Sequence, residues 1–211
     1  MSILIKSAKI IDASSKFNGK TKDIFIKQGV IQEIDDKIVK KSAKEINLDN
    51  LHISQGWLDS SVCFGEPGLE ERETIENGSL TACLSGFTDI ILNSNTLPVI
   101  DSKADVIYVK SKNKNNALKI HPLGALTVKS EGSEMAELHE MFDSGAVGFY
   151  DYKTSVKNPN LLKTALQYVQ HFDGLIMTFP FEKSLCQNGQ MNEGKTVSYT
   201  HLRAHETAMD L

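Results

Sequence analysis

From residue 54 onward, strand-like apolar runs alternate with helix-like runs, and this rhythm constrains the fold more than any other feature. The runs centre on Trp57-Leu58, Ile90-Ile91, Leu118 to Ile120, Ala146-Val147 and Leu175-Ile176. Their spacing of roughly 30 residues is the size of one βα unit. Helices are expected over 70–84, 101–112, 133–142 and 159–172. Asp101 reads as an N-cap of the second; Asn158 followed by Pro159 reads as the start of the fourth. Glu70, Glu71, Glu73 and Glu76 suit the positive end of the first helix, and Ser133, Ala136 and Glu137 open the third. Gly86, Gly145 and Gly174 stand where C′ glycines belong. The pattern predicts a parallel α/β succession of about five units. No GxGxxG or Walker-type loop follows any strand, which removes the nucleotide-binding doubly wound folds. A closed (β/α)8 barrel takes about 250 residues, so a barrel here is an incomplete one.

Residues 1–53 follow a different pattern. Short period-2 runs around Ile3, Ile5, Ile24 to Ile26 and Val30 to Ile34 are punctuated by Asn18-Gly19 and Gln28-Gly29, both hairpin turn signals. A small antiparallel sheet or part of a β-sandwich is expected. The domain reading is 1–53 as part of a sandwich, 54–195 as the first half of a barrel, and 196–211 apart from both.

Composition narrows the function classes. Lys+Arg is 23 against 27 Asp+Glu, a net charge of -4, with no basic excess for nucleic acid or an anionic membrane. No apolar run approaches the ~20 residues of a membrane span, and the alternating N-terminus lacks a signal-peptide layout. Cys63, Cys83 and Cys186 are too scattered for a disulfide framework or a metal knuckle. A cytoplasmic location with reduced thiols is therefore expected.

The βα rhythm stops before residues 196–211. His201 and His205 would share a helix face at i,i+4, a spacing compatible with a metal pair. However, 197–207 spell VSYTHLRAHET, one translated frame of a sequencing-library adapter. The expectation is that 196–211 are foreign to the fold and that the gene continues beyond 195.

Four segments, HISQGWLDSSVCFGEPGLEERETIENG, GFTDIILNSNTLPVIDS, GAVGFYDY and SLCQNGQMNEG, resemble those of dihydroorotases of the amidohydrolase superfamily. The resemblance covers residues 1 to about 195 in order. It implies a small β-sandwich beside a (β/α)8 barrel whose zinc ions activate water for cyclic-amide hydrolysis. It also implies site positions. A His-x-His metal pair follows an Asp on the first barrel strand; here the Asp is Asp59, and Ser61 and Cys63 hold the paired positions. A substrate-holding Arg is replaced by Gly65, while Glu66-Pro67-Gly68 is kept. A metal-ligating His at the end of the fifth strand is replaced by Phe179. The fourth-strand Asp is matched by Asp151, and a substrate-binding Asn by Asn95. A sixth-strand His and an eighth-strand Asp would lie beyond this chain.

Metal binding is expected to be lost, since a catalytic zinc needs three protein ligands. Cys63 and Asp151 provide at most two. Each position also has a plainer reading: Cys63 as a small buried residue, Asp151 as a loop cap, Asn95 as a turn former. His121 reads as structural, His139 and His171 as surface residues, and 110–119 as a solvated helix end. Three functions stay open. One is a non-catalytic dihydroorotase-like protein of pyrimidine biosynthesis, a structural partner of aspartate carbamoyltransferase. Another is an active cyclic amidase with an altered zinc site. The last is a metabolite-binding barrel using Asn95 and Asp151. A homo-oligomer is compatible with each.

Overall fold

A computed structural model describes residues 1–41, 43–113 and 117–181. The expectations for Cys186, His201, His205 and the 196–211 tail lie outside the described residues. The chain divides into two compact units, Met1–Leu58 with Ala82–Asp89, and Asp59–Thr81 with the chain from Ile90 on.

The leading sheet contains β1 (Ser2–Ile11), β2 (Thr21–Lys27), β3 (Val30–Asp35), β4 (Lys44–Asn47) and β5 (His52–Ser54). Its order is β3-β2-β1-β4, with β5 also on β1. β1, β2 and β3 pair antiparallel. Gln28-Gly29 makes the tight turn between β2 and β3, with φ of 52° and 77°, as a hairpin turn with two left-handed residues requires. The sheet is mixed rather than purely antiparallel, because β4 and β5 both join β1 in parallel. Leu4, Ala8, Ile10 and Ile24 are its buried apolar residues. Asp23 is also buried and accepts hydrogen bonds from Lys6 Nζ, Ser7 N and Ile38 N. Burial pushes its carboxyl upward, but these donors and the lysine charge outweigh burial and hold it below the ordinary range.

The second sheet is built from β6 (Trp57–Val62), β7 (Phe87–Leu92), β8 (Lys119–Gly124), β9 (Gly148–Tyr150) and β10 (Ile176–Met177). Neighbours in space follow chain order, and a helix separates each strand from the next. These are α1 (Ile75–Leu84), α2 (Lys103–Lys112), α3 (Leu138–Asp143) and α4 (Pro159–Val169). The β8–β9 and β9–β10 pairs are parallel. The fold is thus the expected α/β one, a small sheet followed by a curled five-strand part of a barrel. Sheet residues Ile90, Leu92, Leu123 and Phe149 are buried with Val106 and Val109 of α2, Met141 of α3, and Ala165 and Val169 of α4. Of these helices α4 shows the clear 3.6-residue period of a helix that covers a sheet.

Several helix boundaries differ from expectation for local reasons. α1 starts at Ile75, so Glu70, Glu71 and Glu73 precede it and only Glu76 lies in its first turn. The second helix is entered through Ser102, whose backbone N and Oγ both donate to Asp105. Asp101 instead accepts from Lys129 N at 2.8 Å. α3 begins five residues late, because Val128 N and Ala136 N bond to Glu134 O and Leu126 O and hold that segment in a turn. Asn158 caps α4 as expected, accepting from Asn160 N at 2.9 Å. Gly86 and Gly145 are left-handed, but after α4 the left-handed residue is Asp173 rather than Gly174. Gly174 serves packing: a Cβ there would lie 2.6 Å from the Phe172 ring.

Candidate functional site

In a barrel of this type, sites are built at the C-terminal ends of the strands. Within β6, Asp59 Oδ1 accepts from Ser61 N at 3.0 Å, turning the carboxylate onto its own strand. Asn93, directly after β7, reaches Ser61 and Cys63. Its Nδ2 donates to Ser61 Oγ at 3.1 Å, Val62 O at 3.2 Å and Cys63 Sγ at 3.4 Å, and its backbone N donates to Val62 O at 2.9 Å. The contact with Val62 O fixes the amide, since a flipped group would set two carbonyl oxygens against each other. Asn93 is 1% exposed, and its Oδ1 has no partner. The sequence reading missed this residue. The available signal was a polar amide directly after an apolar strand.

The loop after β6 is tightly closed. Leu69 N donates to Gly65 O at 3.0 Å, and a Cβ on Gly65 would lie 2.2 Å from Leu69 O. The position where the resemblance implies an Arg therefore has no room for a side chain. Glu66 is buried. Its Oε2 accepts from Ile75 N at 2.9 Å, and its Oε1 from Tyr108 Oη at 2.9 Å and Lys112 Nζ at 3.1 Å. Burial works to raise the Glu66 pKa, but the Ile75, Lys112 and Tyr108 donors outweigh it and hold the carboxyl low. Burial and Glu66 push the Tyr108 hydroxyl up. The kept Glu66 thus binds the start of α1 to α2.

Beyond β7, Ser94 Oγ donates to Tyr150 O at 2.8 Å, joining the ends of β7 and β9. Asn95 is half-buried in a turn braced by Thr96 Oγ1 donating to Pro98 O and Leu97 N donating to Pro67 O. His121 lies half-buried within β8, while His139 and His171 are exposed.

Asp151 is 2% exposed at the end of β9. Its Oδ1 accepts from Leu126 N at 2.9 Å and Thr127 N at 3.0 Å, and its Oδ2 from Thr127 Oγ1 at 2.6 Å. Thr127 Oγ1 in turn accepts from Gly132 N at 2.8 Å. Both carboxylate oxygens thus hold the loop after β8. Phe179, after β10, stacks on Phe181 with centroids 5.6 Å apart and planes 26° apart. The structure therefore links Ser61 with Cys63 through Asn93, but binds Asp151 to a separate loop.

These positions do not fit zinc. Ser61 is a neutral hydroxyl and Phe179 offers only hydrocarbon, which leaves the Cys63 thiol and Asp151, already bound to the loop after β8, one short of the three protein ligands a catalytic zinc takes. Among the described residues no group of three His, Cys, Asp or Glu side chains is placed to hold a metal ion. Cys63 and Cys83 are free thiols. No helix among the described residues is long and apolar enough to cross a membrane.

Comparison with known proteins decides the ancestry. The family described as dihydro-orotase-like matches residues 52–205. The chain belongs to this dihydroorotase-like family. A dihydroorotase of Ruminiclostridium cellulolyticum is 34% identical over 206 residues, covering 97% of this chain and 48% of that protein. One of Acetivibrio thermocellus is 34% identical over 193 residues, covering 91% and 45%. The chain spans about half the length of these relatives. Among solved structures, an L-hydantoinase from Arthrobacter aurescens superposes with a TM-score of 0.68 at 19% identity, over 82% of this chain and 39% of that one. A dihydroorotase gives 0.59 at 14%, over 83% and 50%. At these identities the likeness concerns the fold.

Proposed function

We propose that this dihydroorotase-like chain acts in pyrimidine biosynthesis as a non-catalytic barrel, a structural partner of aspartate carbamoyltransferase. The observation that carries the reading is Asp151. Its three neutral donors at 2.6–3.0 Å engage both oxygens with the loop after β8, and the residue is 2% exposed, so the carboxylate mainly serves the fold. The crowding at Gly65 supports it, because the backbone has closed over a position where the resemblance implies a substrate contact. The partner follows from the resemblance, whose members occur in such assemblies. The test mixes the purified chain with aspartate carbamoyltransferase on a sizing column, with zinc analysis of the same sample. A shared peak and zinc near zero per chain are expected. Separate elution at micromolar concentration would refute the partnership. Stoichiometric zinc with turnover of dihydroorotate or carbamoyl aspartate would refute the non-catalytic role.

A second reading is a cyclic amidase with an altered site. The unpartnered Asn93 Oδ1 beside Ser61 and Cys63 favours it, since a buried carbonyl without a donor costs about 1–3 kcal/mol and has a place for one. Turnover by the chain, abolished in Asn93→Ala, would select this reading.

A further inference from the structure

Beyond β9 and β10 lies a groove of about 860 Å³ with aromatic and cationic walls. One wall is the segment after β9, carrying Lys153, Thr154 and Lys157; the other carries Thr178, Phe179 and Phe181. We propose that this groove binds a planar aromatic anion. Its ring would lie against the phenylalanines, and its negative group would meet the lysines.

Three observations support this. The first is charge. The chain is net negative at -4, yet no described lining residue is acidic. Lys153 Nζ lies over the Tyr152 ring at 5.2 Å, and neither Lys153 nor Lys157 has a carboxylate partner among the described residues. Two lysines with no carboxylate partner among the described residues, beside a concave apolar wall, attract anions. The second is the aromatic surface. Phe179 and Phe181 are stacked near parallel, fixed by a 2.8 Å bond from Phe181 N to Phe179 O. Flat ring faces in an open groove favour flat ligands through offset or edge contacts.

The third is rigidity. Lys153 N donates to Tyr150 Oη at 3.3 Å, and Thr154 N donates to Asp151 O at 3.0 Å. Further along, the backbone of Ser155 and Lys157 lies against Gly132, where a Cβ would come within 2.9 Å of Ser155 O. Asn158 then caps α4. The lysine-bearing wall is therefore held at both ends, which lowers the ordering cost of binding. The buried Asp151 carboxylate contributes here by anchoring the wall rather than by touching the ligand.

The test is calorimetric titration of the full chain with 2-naphthoate, its neutral analogue 2-naphthalenemethanol, and cyclohexanecarboxylate. Saturable binding of 2-naphthoate is expected, weaker by about tenfold for each analogue and weaker as salt rises. The Lys153→Gln/Lys157→Gln variant is expected to bind 2-naphthoate no better than the wild type binds the neutral analogue. Phe179→Leu keeps apolar volume but removes a ring face, and is expected to weaken 2-naphthoate severalfold. Unchanged thermal melting of each variant shows that folding is intact. Equal affinity for the charged and neutral rings, wild-type affinity in the double lysine variant, or no saturation at millimolar 2-naphthoate would overturn the proposal. Such failure would leave the structural reading standing, because zinc content and co-elution test that separately.

Discussion

The two corners of the strand-end surface handle buried polar groups differently. At the β8–β9 corner, Asp151 receives three donors and each carboxylate oxygen is engaged. At the β6–β7 corner, Asn93 is equally buried, but its Nδ2 is shared among three acceptors and its Oδ1 has none. A fully satisfied buried group specifies a structure, while a half-satisfied one keeps bonding capacity in reserve. The first corner therefore belongs to the fold. The second is where any remaining polar chemistry would occur.

The largest expected effect breaks the saturated corner. Asp151→Ala leaves Leu126 N, Thr127 N and Thr127 Oγ1 without their acceptor and should cost about 3–5 kcal/mol, read as a lower urea midpoint. An unchanged midpoint would mean that the carboxylate is free for other work. Next comes Gly65→Ala. Its methyl would meet the Leu69 carbonyl at 2.2 Å, so a loss of about 2–3 kcal/mol is expected. Tolerance of Ala, or of the Arg that the resemblance implies, would show that the loop opens readily. At the unsaturated corner, Asn93→Ala should cost only about 1–2 kcal/mol, because the orphaned oxygen is removed together with the donors. A loss as large as that of Asp151→Ala would erase the distinction between the corners.

Glu66 offers a comparison by pH. Its folded pKa lies below the unfolded one, so the stabilisation is fully present at neutral pH. It is lost as pH falls below about 4, through the folded value. Glu66→Gln should therefore lower stability at pH 7 by about 1–2 kcal/mol and flatten the acid limb of the stability profile. Parallel acid limbs in the two proteins would contradict the assignment. Smallest is Ser94→Ala, which removes one bond to Tyr150 O and should cost about 1 kcal/mol in the same assay.

Much of the fold was legible because periodicity is a local property. The five strands fell near their apolar runs, and Asn158-Pro159 marked α4 correctly. The α1 and α3 starts were misplaced, because their boundaries are set by long-range partners. Glu66, nine residues upstream, accepts from Ile75 N, and Leu126 accepts from Ala136 N. The site was legible as a set of positions but not as bonds. Sequence left Asp151 between a ligand and a cap; only the fold brings Leu126 and Thr127 to it. Gly65 could be read as a missing side chain, whereas the crowding against Leu69 depends on a loop closure that no spacing reveals. Asn93 was not legible as a site residue because its partners Ser61, Val62 and Cys63 lie on another strand end that only the fold brings to it.

The most direct test of the central claim, that these strand ends serve the fold rather than a metal, is urea unfolding of the chain with and without zinc. A ligand that binds only the folded state stabilises it by about 2.7 kcal/mol at a hundred times its dissociation constant. The account predicts superimposable curves at micromolar zinc. A zinc-dependent rise of that size, abolished by Cys63→Ser, would contradict it.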